Sequence, residues 1–332
     1  MSKWYEGDGN NSDVVLYSQV RLARNVVDSP FPNRMSKDLC KSLTKRIWAT
    51  IKSSSEANDF NIINLNDIDI AQCISYAEKQ LISNRFAKNQ NGSFLLSTNK
   101  DVSIMICEDD HIKIRAFECG QNIKSAYDKA QIIDDIFINN LKIAYSQKLG
   151  FLTASPMNLG TGMKATFALH LPALVNKNAI YGLSQMVSKL GLSLRPLYKN
   201  GAGDMFILSN LVTLGISEEG AMQNLNAICE QIVKQERQAR EDLKNDNEFE
   251  DNIYRTLGIL KMARQINIDE FLNSLSLVRL GVSLGYFNID YKIIGEMLFD
   301  MQDASLIVSA DAELSQDMCN KLRAKLIREK LD

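Results

Sequence analysis

Residues 150–172 read GFLTASPMNLGTGMKATFALHLP, and this stretch decides the fold. Gly160 and Gly162 make a short polar loop whose backbone can approach a ligand closely, with Ser155 before it and Lys164 after it. Beyond Gly162, apolar side chains alternate with polar or small ones, which is the period of a half-buried strand rather than of a helix. We therefore predict a strand that presents Lys164 on its polar face.

The letters GTGMKA at residues 160–165 also match a loose dinucleotide-binding fingerprint. That motif requires a strand before the glycines and a helix directly after them. Because the period after the loop is two, the sequence argues against a dinucleotide site.

The composition is that of an ordinary globular chain. Of 332 residues, 45% are hydrophobic and 23% charged, and the net charge is −2, so a phosphate site needs locally gathered cations and we expect no direct nucleic acid partner. The six cysteines form no Cys-x-x-Cys pair, which argues against a disulfide framework and against a zinc site. Without a signal peptide or an apolar run of membrane-spanning length, we expect a cytoplasmic protein with no membrane partner.

Periodicity and breaker residues predict the other elements. Three consecutive acidic residues, 108–110, sit at the centre of a predicted hairpin and on charge alone form a solvated turn. The segment 13–25 mixes β-branched residues with arginines, which is typical of an edge strand. We predict hairpin strands at 102–106 and 111–115, helices at 36–52, 122–148 and 217–244, and a polar linker at 244–252.

Four segments resemble one family. Residues 155–165 (SPMNLGTGMKA), 18–25 (SQVRLARN), 107–113 (CEDDHIK) and 78–83 (EKQLIS) resemble motifs of the ATP:guanido phosphotransferases, most of all the bacterial protein arginine kinases (McsB type). The resemblance runs from about Asp13 to the C-terminus. It implies an α+β fold, an antiparallel sheet flanked by helices (the guanido kinase catalytic fold), followed by a small helical domain. The domains would be residues 10–244 and 253–332.

The resemblance also implies a reaction and a set of site residues. The reaction is transfer of the γ-phosphoryl group of ATP, with Mg²⁺, to the guanidinium of protein arginines. The implied catalytic positions are Glu108, Asp109 and Ser155. The implied ATP-binding positions are Ser18, Gln19, Arg21, Gln80, Lys113, Lys164 and Arg195, and the implied substrate-binding positions are Asn200 and Arg323.

At most of these positions the chain departs from the family pattern. Gln19 replaces an arginine, and Lys113 and Lys164 keep the charge of an arginine but lose the planar fork that binds phosphate bidentately. Asp109 is one methylene shorter than the family's glutamate, and a misplacement of about an ångström can cost about a hundredfold in rate. Ser155 stands in place of a reactive cysteine.

The substrate positions are altered as well. Asn200 replaces an acidic residue, and Arg323 is retained without the partners of its family motif. We therefore expect weak or lost phosphotransfer. The alternative is a non-catalytic pseudokinase that binds a sibling kinase, an activator protein or Clp-type proteolytic machinery.

The sequence also bears on a third functional class and on the oligomeric state. A kinase of free guanidino metabolites is least favoured, because the short lead before Asp13 does not supply the N-terminal helical domain of such enzymes. An apolar spacing in the C-terminal region predicts a homodimer. The residues with that spacing are Leu272, Leu275, Val278, Leu280, Val282 and Leu284.

Overall fold

The computed structural model describes residues 3–7, 9–89 and 92–331, apart from the side chain of Asn200. Within these residues, eight strands form one antiparallel sheet in the order β2-β3-β4-β5-β1-β8-β10-β9, and β6 pairs with β7 in a small hairpin. The strands are β1 (Val15–Arg24), β2 (Phe60–Asn64), β3 (Ser93–Ser97), β4 (Val102–Ile106), β5 (Ile112–Cys119), β6 (Tyr145–Ser146), β7 (Gly150–Phe151), β8 (Met163–His170), β9 (Leu192–Pro196) and β10 (Met205–Asn210).

Helices cover both faces of the sheet. Helices α1 and α4–α7 pack on one face, and α2, α3 and the C-terminal helices pack on the other. The predicted helix 36–52, the hairpin around residues 108–110 and the strand after Gly162 are confirmed. The helices are α1 (Lys37–Lys52), α2 (Ile70–Glu78), α3 (Asn84–Ala87), α4 (Ile123–Asn140), α5 (Pro172–Asn176), α6 (Ile180–Lys189), α7 (Glu218–Leu243), α8 (Asn247–Met262), α9 (Ile268–Ser283), α10 (Tyr291–Asp300), α11 (Asp303–Ala310) and α12 (Gln316–Leu331).

Strand β1 is central, so the expectation of an edge strand was wrong. It pairs with β5 on one side and with β8 on the other along most of its length. Val20 and Leu22 point to the face covered by α1 and α4–α7, while Gln19 and Arg21 point to the opposite face, because successive side chains alternate across a strand. Both faces of β1 are therefore used, one for the core and one for a polar site.

The helix predicted at 122–148 ends at Asn140. Leu141 is extended, and the chain then pairs with the segment after β1: Val27 N donates to Lys142 O at 2.9 Å and Ala144 N donates to Asn25 O at 2.7 Å. The apolar residues after Asn140 fit a helical face and a half-buried extended segment equally well. Long-range backbone pairing, which sequence periodicity does not reveal, decides between them.

The predicted linker 244–252 is mostly helix. Only the residues from Lys244 to Asp246 interrupt the helical structure, and Asp246 accepts hydrogen bonds from Glu248 N and Phe249 N at the start of α8. The acidic run is therefore a capped helix N-terminus, where carboxylates are favourable next to the helix dipole.

Five of the six residues from which we predicted a dimer are buried inside the monomer, and Val282 is partly buried. Leu272, Leu275 and Val278 of α9 are at most 2% exposed and pack in the core between the C-terminal helices and the sheet. Their spacing is thus explained by intramolecular packing, and self-association stays a prediction without support from these positions. Among the described residues, no helix combines the length and apolarity needed to span a membrane.

A buried ion pair connects β1 to α4. The Arg24 guanidinium donates to both carboxylate oxygens of Asp134 at 2.7–3.1 Å, and also to Thr161 O at 2.9 Å in the glycine loop. It lies 3.5 Å from the centre of the Phe151 ring. Arg24 therefore ties the central strand, the covering helix and the glycine loop together.

We predict that Asp134→Ala lowers the free energy of unfolding by about 3–5 kcal/mol, because it leaves the Arg24 charge buried without a counter-ion. The measurement is urea unfolding followed by tryptophan fluorescence. The matched control is Asp135→Ala, which removes an exposed neighbour on the same helix. Equal unfolding midpoints for the two variants would contradict the role assigned to the ion pair.

Candidate functional site

Three cations stand directly opposite one another across the middle of the sheet. Arg21 of β1 is paired in register with Arg115 of β5 on one side and with Lys164 of β8 on the other. Like charges at opposed positions of neighbouring strands destabilise a sheet. We call these three residues the cation row, and a bound anion would relieve its repulsion.

A polar cavity of about 280 Å³ lies over the cation row. All three cations line it, together with the exposed Arg195 of β9. Within the described residues, the buried Nε atoms of Arg21 and Arg115 have no hydrogen-bond partner. Buried donors without a partner are costly, so these atoms are suited to an anionic ligand. The other polar side chains of the wall are Tyr17, Gln19, Gln80, Ser83, Asn84 and Thr166.

The protonation of the row reflects burial and crowding. Burial, together with repulsion from the neighbouring Arg21 and Arg195, lowers the pKa of Lys164 to about 8. Burial likewise lowers the pKa of Arg115 to about 10, with Glu108 opposing the shift. A bound polyanion would offset the repulsion that these shifts report.

The loop after α2 supplies the wall facing the sheet. Gln80 has a left-handed backbone (φ 63°), and its carbonyl accepts a hydrogen bond from Arg115 Nη1 at 2.8 Å. Ser83 caps α3 by accepting from Phe86 N at 3.0 Å, and its hydroxyl donates to Glu108. The loop is therefore fixed both to the cation row and to the turn formed by Glu108, Asp109 and Asp110, which we call the acidic turn.

The acidic turn binds cations of the chain itself. Lys113 Nζ, almost fully buried, donates to Glu108 Oε2 at 2.6 Å and to Asp109 Oδ2 at 2.8 Å. Arg85 Nη1 donates to Asp109 Oδ1 at 2.6 Å. Burial alone would raise the pKa of both carboxyls. The interaction with Lys113 acts in the opposite direction, and the pKa of each carboxyl lies below its usual value. Both groups are thus held ionised, and the structure places Lys113 on them rather than in the cavity wall.

The glycine loop is anchored next to both groups. Arg21 Nη2 donates to Asn158 Oδ1 at 3.1 Å. At the other end, Asp110 Oδ1 accepts from Ala154 N and from Asn25 Nδ2, each at 2.7 Å. Ser155, half-buried, lies between these anchors and next to the Pro156–Asn158 turn. The cation row and the acidic turn therefore share one supporting loop.

Three residues predicted for the site are placed differently or fall outside the description. Ser18 points to the other face of β1, where it donates to Gly120 O at 2.6 Å and accepts from Asn122 N at 2.8 Å. Arg323 is fully buried and donates to Met301 O at 2.8 Å and Ile266 O at 2.9 Å, so it joins the C-terminal helices. The side chain of Asn200 lies outside the described part of the chain.

Sequence reasoning missed Arg115 and Arg85. Arg115 follows Lys113 by two positions, so the alternation of β5 already put both on one face, and that signal could have identified it. Arg85 lies 24 positions before Asp109. No local pattern indicates that contact, because it depends on how the loop after α2 folds over the sheet.

Comparisons with known proteins agree with this geometry. Residues 42–239 match the family described as ATP:guanido phosphotransferase, C-terminal catalytic domain, and residues 246–332 match the protein-arginine kinase McsB C-terminal domain. The chain is 38% identical over 339 residues to the protein-arginine kinase of Clostridium acetobutylicum, covering 100% of both chains. It is 38% identical over 342 residues to that of Clostridium novyi, covering 100% of this chain and 98% of the other.

Solved structures of guanidino kinases have the same fold. The duplicated taurocyamine kinase from Schistosoma mansoni with bound transition state analog components gives a TM-score of 0.62 at 21% identity, covering 70% of this chain and 34% of that one. Lombricine kinase gives a TM-score of 0.59 at 18% identity, covering 71% and 69%. At these identities the likeness is one of fold.

We predict that the affinity for tripolyphosphate falls as pH rises above about 8, the pKa of Lys164. A lysine is charged below its pKa, so the cation row loses one positive charge above that value. Calorimetric titration between pH 7 and 9.5 measures the effect. Lys164→Arg keeps its charge over this range and should remove most of the fall, and an equal pH dependence in both proteins would contradict the prediction.

Proposed function

This chain belongs to the protein-arginine kinases of the ATP:guanido phosphotransferase family, and from that membership we propose that it transfers the γ-phosphoryl group of ATP to protein arginine side chains at a reduced rate. The observation that carries the proposal is the cation row beside an ionised acidic turn, with two Nε atoms that have no hydrogen-bond partner in the described part of the chain. Phosphoryl transfer depends on fixed cations around the phosphates and on a carboxylate that positions the nucleophile. Both parts are present in this chain.

The cation row suits the phosphates of ATP. Arg21 and Arg115 can bind phosphate oxygens bidentately, whereas Lys164 offers a point charge. Among the described residues, no group of three or more His, Cys, Asp or Glu side chains is arranged to hold a metal ion. Mg²⁺ at such sites is bound by substrate phosphates, waters and one or two carboxylates. We therefore infer that the metal enters with the nucleotide.

The acidic turn suits the guanidinium. In the transfer, the terminal P–O bond of ATP breaks, a P–N bond forms to the arginine, and the proton lost from nitrogen passes to a carboxylate, which leaves ADP and phosphoarginine. Asp109 is partly exposed and is the better placed of the two acids for this contact. Its lowered pKa makes it a weak proton acceptor, which reduces the rate.

A second candidate function follows from the same acids. Glu108 and Asp109 are both ion-paired with cations of the chain, so the site could retain nucleotide binding without transfer. Such a protein would act as a non-catalytic partner of a sibling kinase, an activator or Clp-type machinery. A cytoplasmic location and a homodimer remain part of the proposal, the latter to be tested by light scattering.

The direct test is phosphoarginine formation. The full chain is incubated with Mg-ATP and a disordered arginine-rich protein, and acid-labile phosphoarginine is detected by mass spectrometry. We expect slow formation that Arg21→Gln reduces by at least about a hundredfold, since one well-placed charge donor contributes on the order of 3 kcal/mol. Arg46→Gln, at a half-buried surface arginine of α1, is the control. ATP binding without any phosphoarginine would favour the non-catalytic function.

A gain of function tests the altered positions. Gln19 lines the cavity next to Arg21, so Gln19→Arg adds a whole charge and should raise ATP affinity about tenfold, the effect of one charge-assisted hydrogen bond. Asp109→Glu should change the rate more than the affinity. Calorimetry and phosphoarginine assays measure the two effects. Unchanged ATP affinity in Gln19→Arg would place the phosphates elsewhere.

A further inference from the structure

Arg85 is a guanidinium at the site that the proposed phosphotransfer does not use. It lies on α3 with 82% of its side chain exposed, and its Nη1 donates to Asp109 Oδ1 at 2.6 Å. Lys113 Nζ donates to the other oxygen, Oδ2, at 2.8 Å. The Asp109 carboxylate thus has a buried ammonium on one oxygen and a solvent-exposed guanidinium on the other.

The position of Arg85 along the chain brings it beside the polar cavity over the cation row. The two preceding residues, Ser83 and Asn84, line that cavity, and the Ser83 hydroxyl also donates to Glu108. The acidic turn is close enough to the cation row that its carboxylates oppose the burial-driven fall in the pKa of Arg21. A guanidinium of the chain itself is therefore held on an acid next to the place where phosphate would bind.

We propose that Arg85 competes with the substrate for Asp109: it fills the carboxylate that would receive the guanidinium of a substrate arginine, and a substrate must displace it. This inference rests on the proposed function, because it identifies Asp109 as the guanidinium-binding acid. Both Asp109 oxygens already accept a charged donor, Oδ1 from Arg85 and Oδ2 from Lys113, so a substrate guanidinium that binds both oxygens must displace one of them. The exposed Arg85 is the easier of the two to displace. Arg85 touches no reacting atom, so it acts on specificity through Asp109.

The strength with which Arg85 competes for Asp109 follows from the solvent exposure of the Arg85 side chain. An exposed arginine–carboxylate pair is weak, which corresponds to a factor of about 1.5 to 5 in an equilibrium constant. A substrate arginine can therefore displace Arg85, and a weak guanidinium ligand binds less tightly than it would to a free Asp109. The effect should appear in the binding of the arginine substrate and not in the binding of ATP.

The test is a titration of the free protein with methylguanidinium, followed by the NMR signal of the Asp109 side-chain carboxyl carbon. We expect the methylguanidinium concentration at the midpoint of the titration to be about two- to fivefold lower in Arg85→Gln than in the unaltered chain. Arg46→Gln is the matched control, since Arg46 is also a surface arginine paired with an aspartate, at 2.8 Å. Arg85→Lys keeps the charge without the planar fork, so its midpoint should lie between those of the unaltered chain and of Arg85→Gln.

Equal midpoints in the unaltered chain and Arg85→Gln, or no response of Asp109 in either protein, would overturn the proposal. So would a phosphoryl group found on Arg85 after incubation with ATP, because Arg85 would then be a substrate. The same preparations are assayed for phosphoarginine on added protein. A shifted midpoint without phosphoarginine would sink the proposed function and leave the competition at Asp109 intact.

Discussion

Arg115, Arg21 and Lys164 are held opposite one another by the register of three central strands, and the surrounding elements limit the resulting repulsion. The Gln80 carbonyl accepts from Arg115, Asn158 accepts from Arg21, and the acidic turn opposes the fall in the pKa of Arg21. Among the described residues, these contacts leave the Nε atoms of both arginines without a hydrogen-bond partner. The charges are therefore only partly compensated in the free protein, and an anion would complete the compensation.

This constraint gives a physical meaning to the lysine at position 164. With a pKa of about 8, Lys164 releases its proton as the pH rises through that value, whereas an arginine at the same position would stay charged. The lysine thus lowers the repulsion in the free site while it loses the bidentate grip on phosphate. Gln19 acts in the same direction, since it removes a charge from the cavity wall altogether. Both residues therefore reduce the charge repulsion in the free site, Lys164 above about pH 8 and Gln19 at any pH.

Local pattern was enough for the parts of the site that lie on single elements. The alternation after Gly162 predicted β8 and the direction of Lys164, and the alternation over residues 111–115 puts Arg115 on the same face of β5 as Lys113. The sequence could not reveal which of the two cations on this face of β5, Lys113 or Arg115, would contact the acids. It also did not show that the apolar face of α9 is covered by the sheet domain, because amphipathic spacing is the same for an internal and an intermolecular interface.

Helix α2 carries both the cavity wall and a contact of the C-terminal helices. At its C-terminal end, the Glu78 carboxylate accepts from Ala304 N at 2.9 Å and from Ser305 N at 2.8 Å, where α11 begins. Two residues further on, Gln80 adopts its left-handed turn and accepts from Arg115. A backbone shift at Gln80 large enough to release Arg115 would therefore also strain the Glu78 contacts. The C-terminal region thus helps to define the cavity over the cation row, although Gln80 and Arg115, which line that cavity, belong to the loop after α2 and to the sheet.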